Sequence, residues 1–303
     1  MSGKANLNLQ ALESAKHYMG DFAWPTAVLG VAIFVAYLAT PLLVVSGHLA
    51  LLPGMLLMSL LTYAAYTVLH EAAHGTISGS HSSLRWVNEL LGYLAAWVIM
   101  IPLTAHRHEH LAHHRHTNDP DKDPDFVLSE LRNSPWRAVQ IVSRLYLDQF
   151  AYYLRHRWSR GPRKQDLYLC LEVLAAWAPR MAFLAAGYWL EGLALFAVAE
   201  ILGLLILLYL FAYIVHTPHE SVGRYVDTST IIVPGPAGKL VTAAWGYQNY
   251  HSIHHLFPRI PFYRYPALFA EIQGAMIANG APIYRLGWTG LRTCAADRVA
   301  VAG

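Results

Sequence analysis

The chain has 303 residues, of which 55% are hydrophobic and only 14% charged, and its formal net charge is +3. That balance lies outside the range of ordinary soluble domains and offers no basic surface for nucleic acid. Its two cysteines, Cys170 and Cys294, cannot build a disulfide framework, so reduced thiols are expected.

Taken in chain order, "MSGKANLNLQALESAKHYMG" lacks the apolar core of a cleavable signal peptide and reads as a short amphipathic helix. Two apolar stretches follow, about 25–46 and 49–69, each long enough to cross a hydrocarbon layer of about 30 Å as a helix. Only a few residues around Gly47 separate them, which predicts a tight antiparallel hairpin. The second ends on "HEAAH", His70 to His74. A shorter apolar stretch, about 87–104, carries Pro102 near its end. Next comes "HRHEHLAHHRHTNDPDKDPD", residues 106–125, and then a basic segment "RHRWSRGPRK", 155–164. Stretches 167–190 and 192–215 form a second predicted hairpin, followed by "HTPHE" and "HSIHH". Residues 266–303 read as a cytoplasmic helix and tail without evident chemistry.

Charge placement sets the expected orientation. If both hairpin turns face one side, every Lys and Arg lies on the other, except Arg180 inside the third span. By the positive-inside rule the histidine-bearing side is then cytoplasmic. Parity follows: were 87–104 to cross alone, "HLAHH" would emerge opposite "HEAAH". The segment is therefore expected to be re-entrant or interfacial. The expected fold is an all-α integral membrane protein, one domain over 1–303, with four transmembrane helices in two hairpins, this re-entrant helix and a cytoplasmic helical cap. Within the spans, Arg180 and Glu200 are expected to pair between helices, and Glu172 to snorkel. The basic segment 155–164 reads as an interfacial anchor, or else as a dock for an acidic electron carrier.

Most of the seventeen histidines cluster. His70 and His74, then His110, His113 and His114, then His216 and His219, then His251, His254 and His255 stand at i,i+3 or i,i+4 spacing, which puts imidazoles on one helix face. "HEAAH" also fits the zinc-protease pattern H-E-x-x-H, but that site would leave two H-x-x-H-H triads without a role. Eight or nine imidazoles exceed the needs of one tetrahedral zinc. A pair of metal ions is the economical reading, and an all-histidine site suits a redox-active first-row metal such as iron. A metal transporter would need ligands in mid-membrane near a helix break. Almost all of these histidines sit at or beyond the ends of spans, which leaves a membrane metal-binding or transport protein as the less favoured alternative.

The order H-x(3)-H, H-x(2)-H-H, H-x(2)-H-H around two predicted hairpins resembles the histidine-box membrane desaturases and hydroxylases. The likeness runs from about Val68 to Tyr265. "HLAHHRHTNDPDKDPD" and "NYHSIHHLFPRIPFYRYP" are similar to the second and third boxes beyond their histidines, and the latter also resembles carotenoid ring hydroxylases. The resemblance implies a non-haem di-iron centre held by His70, His74, His110, His113, His114, His251, His254 and His255. His216 is the expected additional ligand, with His219 its rival. His106, His108 and His116 fall outside the pattern. Asp121 and Asp125 are expected to accept hydrogen bonds from ligating rings, with Glu71 and Glu220 as similar candidates, and Asn249 to reach a metal-bound water. The chemistry implied is O2-dependent oxidation of an unactivated C–H bond in a long-chain lipid from the bilayer. Acyl desaturation is the first expectation and carotenoid ring hydroxylation the alternative. With no flavin, haem or iron–sulfur motif in the chain, electrons must come from a ferredoxin or similar small redox protein with its reductase.

Overall fold

A computed structural model describes residues 3–294. Its helices are α1 (Gly3–Lys16), α2 (Trp24–Val45), α3 (Leu51–His74), α4 (Arg85–Ile99), α5 (Leu103–His116), α6 (Pro135–His156), α7 (Arg163–Ala185), α8 (Trp189–Gly192), α9 (Ala199–Leu207), α10 (Gly238–Ala244), α11 (His251–Leu256) and α12 (Tyr265–Ala278). α8 and α9 belong to one long helix, Trp189–His216, which also contains two π-helical stretches, Leu193–Val198 and Leu208–Tyr213. Four helices are long and apolar enough to cross a membrane: α2, α3, α7 and Trp189–His216. Against the expected spans, the third begins and ends several residues earlier, and the second runs on to carry His70 and His74 within the same helix.

α2 shows why these helices belong in a bilayer. Val28, Val31, Val35, Leu38 and Leu42 form an exposed apolar stripe, whereas Gly30, Ile33, Tyr37 and Thr40 on the other face are buried. A water-facing surface does not carry such a stripe, but hydrocarbon accepts it. Inside, small residues allow close contact. A Cβ on Gly203 of α9 would lie 2.7 Å from the Ser59 carbonyl of α3, and one on Gly92 of α4 2.7 Å from the Ala72 side chain. The main core joins α2, α3, α4 and α9 through residues such as Tyr37, Met58, Leu69, Leu91 and Leu204.

The predicted segment 87–104 divides differently. α4 ends at Ile99, Met100 takes a left-handed conformation (φ 57°), and Pro102 starts α5 at a bend of 96°. Helix ends leave unsatisfied carbonyls and amides, and α7 supplies partners for both. The Arg180 guanidinium donates to the Trp97 carbonyl (2.9 Å) and the Val98 carbonyl (3.2 Å) near the end of α4. Glu172 accepts from the Thr104 amide (3.3 Å) and the Thr104 hydroxyl at the start of α5. A cation thus meets a helix C-terminus and an anion an N-terminus, as the helix dipoles favour. The expected Arg180–Glu200 pair does not form. Arg180 also donates to the Tyr37 hydroxyl and lies over Trp97, while Glu200 accepts from Thr62 at 3.0 Å. Glu172 does not snorkel, because the start of α5 engages it.

The all-α expectation needs one correction. β1 (Thr230–Ile232), β2 (Ile283–Gly287) and β3 (Gly290–Thr293) form a small sheet, with β1 parallel to β2 and β2 antiparallel to β3. The predicted helix and tail over 266–303 is α12 followed by this hairpin, and its residues beyond Cys294 lie outside those described. β1 lies before α10 and the segment bearing the last histidine triad. Ile231 accepts from Asn249 at 2.9 Å, so the sheet helps to seat that segment.

Candidate metal centre

α3 delivers the first two histidines from a fully buried turn, Val68 to Ala73. The helix stops directly after His74 because Gly75 adopts φ 71°, with its own amide bonded to the Ala72 carbonyl and that of Thr76 to the Glu71 carbonyl. α5 brings His110, His113 and His114, α11 brings His251, His254 and His255, and the end of the Trp189–His216 helix brings His216.

Their rings converge in two groups. Donor atoms of His70, His74, His110, His114 and His254 all lie within 4.8 Å of one another, as do those of His113, His216 and His255. Neighbours in sequence part company: His113 and His114 belong to different groups, and so do His254 and His255. The His114 and His255 rings stack at 4.2 Å between centroids and so join the two groups. His251 lies beside the second group, its Nε2 3.1 Å from that of His255 and its ring 4.9 Å from His216.

The outward nitrogens are held by the protein. His113 Nδ1 donates to Asp123 (2.8 Å), His216 Nδ1 to the Ala212 carbonyl (2.5 Å) and His251 Nδ1 to the Gln248 amide oxygen (3.0 Å). His254 Nδ1 meets the Tyr265 hydroxyl at 3.1 Å, and His255 Nδ1 lies 3.3 Å from the Thr117 hydroxyl and 3.9 Å from Asp227. Burial pushes the imidazoles of His251, His254 and His255 well below their ordinary value and raises the Asp227 carboxyl to about 6. These rings are neutral at pH 7, which is the state that binds metal.

Metal occupancy can be tested on these contacts. A carboxylate and a carbonyl only accept, so Nδ1 of His113 and of His216 carries the proton and Nε2 of a neutral ring keeps a lone pair. Those two Nε2 atoms face each other at 3.1 Å, which is tolerable only with a cation between them, a proton or a metal ion. In the larger group, His110 Nε2 lies 2.9 Å from His74 Nε2 and 3.1 Å from His114 Nε2, and His114 Nε2 lies 2.9 Å from His254 Nε2. One ring nitrogen has one proton or one lone pair and cannot satisfy two neighbours. Both nitrogens of buried His70 lack any hydrogen-bond partner. The larger group's contacts are better met by a metal ion than by hydrogen bonds alone, and the smaller group offers a matching donor set.

The remaining candidates fall elsewhere. His219 is buried and stacks on Tyr213 at 5.0 Å, with its ring 6.4 Å from His216, and it belongs to neither group. His106 is buried and stacks on His110, whereas His108 turns away to Gln165. Asp121 is exposed, and its neighbour Asp123 is the residue that reaches His113. Asp125 follows at 3.7 Å. Asn249 Nδ2 donates to the Ile231 carbonyl and the Thr242 hydroxyl, while its buried Oδ1 has no hydrogen-bond partner. Glu71 accepts from Thr26 (2.6 Å) and the Phe262 amide (2.5 Å), tying α2 and the α11–α12 connection to α3. Glu220 is exposed. Asp123, Asp227, Gln248 and Tyr265 were missed as ring partners. Only Asp123 had a visible signal, its place in "NDPDKDPD".

Comparison with known proteins agrees with this centre. The profile of the family "Fatty acid desaturase" matches residues 46–287. The chain belongs to that family, within the histidine-box superfamily of membrane oxidoreductases. It is 26% identical over 280 residues to the sn-1 oleoyl-lipid 12-desaturase of Picosynechococcus sp., covering 83% of this chain and 76% of that one. It is 25% identical to the sn-1 acyl-lipid omega-3 desaturase (ferredoxin) of Synechocystis sp., covering 69% and 63%. It is 31% identical to the beta-carotene ketolase of Haematococcus lacustris, covering 65% and 55%.

Proposed function

We propose that this protein is an O2-dependent, di-iron acyl-lipid desaturase. The observation that carries this reading is the pair of converging imidazole groups, the larger of which has too few protons to satisfy its Nε2 atoms. One ion would be held by His70, His74, His110, His114 and His254, the other by His113, His216 and His255 with His251 beside them. A bound pair of reduced irons supplies O2 activation and attack on an unactivated C–H bond, which no side chain can perform. The chain's own residues do the rest. Asp123, Gln248 and the Ala212 carbonyl hold ring tautomers, and the buried walls around α3 and α11 exclude water.

An apolar cavity of about 810 Å³ between α2, α4 and α7, lined by Phe34, Tyr93, Trp97 and Leu171 among others, supports an apolar substrate taken from the bilayer. Two helical hairpins, a re-entrant α4–α5 pair, the histidines on the cytoplasmic side and an external ferredoxin-type donor complete the reading. The ketolase relatives support a second one, oxygenation of a carotenoid ring. Mass spectrometry of lipids and pigments, from cells with and without the protein and with carotenoids present or absent, separates the two. Loss of two hydrogens from acyl chains is expected. Gain of oxygen on carotenoid would replace the first reading with the second, and an unchanged profile from iron-loaded, donor-supplied protein would reject both.

A further inference from the structure

A hollow of about 330 Å³ is lined by residues of both histidine groups. It is lined by His114 from the larger group and His255 from the smaller, the two rings stacked at 4.2 Å with 24° between their planes. Arg115 and Arg224 stand on its rim, both exposed. Neither forms an ion pair with a carboxylate among the described residues. Arg224 is held in place over Phe257 at 5.5 Å. The carboxylate at the hollow, Asp227, is turned inward toward His255. Val222 adds an apolar contact, 61% exposed. The hollow is therefore bordered by two cations and an exposed valine, and its lining includes one ring of each group.

We infer that this hollow is the docking site of a small acidic one-electron carrier, a ferredoxin-type protein, and that the His114–His255 stack is where its electrons enter. The inference rests on the di-iron reading above and names the surface that serves it. For each double bond formed, two reduced carriers each give up one electron. These electrons, the two hydrogen atoms leaving the substrate and two protons from solvent reduce one O2 to two waters. Opposite charge on rim and carrier speeds encounter and sets orientation. The rival surface is the basic turn between α6 and α7 with the start of α7, including Arg160 and Lys164, neither of which belongs to a histidine group.

The test measures binding of oxidised plant-type [2Fe–2S] ferredoxin to purified full-length protein in detergent, with and without iron, at low and high salt. Arg115→Glu combined with Arg224→Glu should weaken binding at least tenfold at low salt and flatten its salt dependence. The same pair should raise the KM for ferredoxin and leave kcat nearly unchanged. Arg160→Glu with Lys164→Glu should leave both near wild type. The neutral pair Arg115→Gln and Arg224→Gln keeps the long side chains and should give a smaller loss in the same direction, which guards against a folding defect. Wild-type affinity in the rim variants, or a loss confined to the Arg160/Lys164 variant, overturns the inference. If the di-iron reading fails instead, wild-type protein binds no iron and forms no product with any reductant, while the binding comparison still tests the surface.

Discussion

Asp123 is 2% exposed at its side chain and accepts both from His113 Nδ1 and from the Asn118 amide. Removing its charge while keeping its shape should weaken the hold on His113. Asp123→Asn is expected to lower iron affinity by about 10–100-fold, the usual cost of losing such a partner, measured by competition with a chelator. Asp121→Asn should change nothing. The histidines give the sharper contrast: His254→Ala and His113→Ala should abolish product and lower bound iron, and exposed His156→Ala should do neither. The ring set was legible in the sequence because i,i+3 and i,i+4 spacing on a helix fixes direction. Asp123 was not, because α5 ends at His116 and the acidic run that follows is a turn. In a turn, alternate carboxylates point where local φ and ψ send them. Tyr265 and Asp227 had even less signal, since each reaches a ring from a different element.

At the scale of elements, the α4–α5 break is the feature that orients α5 toward α3. Its two free ends are capped from one helix, α7, by residues eight positions apart. Glu172→Ala leaves the start of α5 without its acceptor and should lower stability by about 1–2 kcal/mol, read as a fall in the thermal midpoint. Because α5 carries three of the clustered histidines, iron retention should fall with it. Glu172→Gln, which still offers an amide oxygen, should recover part of both. The contact of α9 with α3 is as exacting. Gly203→Leu forces atoms against the Ser59 carbonyl and Thr62 and should cost about 1–3 kcal/mol as overpacking. From sequence, Arg180 and Glu200 looked like partners because opposite charges in a membrane usually meet. The bend left the Trp97 and Val98 carbonyls open, and a guanidinium with five donors satisfies those instead. Pro102 marked a disturbance, but not that a second helix would start there.

For the molecule as a whole, apolar length alone predicted the four long helices, and their ends shifted by only a few residues. The small sheet was harder to read: β2 and β3 pair locally across Trp288 and Thr289, but the third strand is remote. β1 lies about fifty residues earlier and pairs only after α10–α12 have folded back. The membrane orientation is open to direct measurement. In a variant lacking Cys170 and Cys294, a single cysteine at His48 should react with an impermeant maleimide on intact cells. One at Arg160 should react only after the membrane is opened. The reverse pattern would place the histidines outside.

The division of His113 from His114, and of His254 from His255, has a further consequence. Successive residues on a helix point about 100° apart, so each dipeptide holds one ring in either group at a fixed offset. α5 and α11 therefore act as two independent gauges of the gap between the groups. Loss of one ring can empty a position without changing that gap. Any pair of first-row ions held there would inherit the same separation. Altering it requires rewinding both helices together, so the spacing of the two ring groups is a property of the backbone and stands apart from the ligands' chemistry.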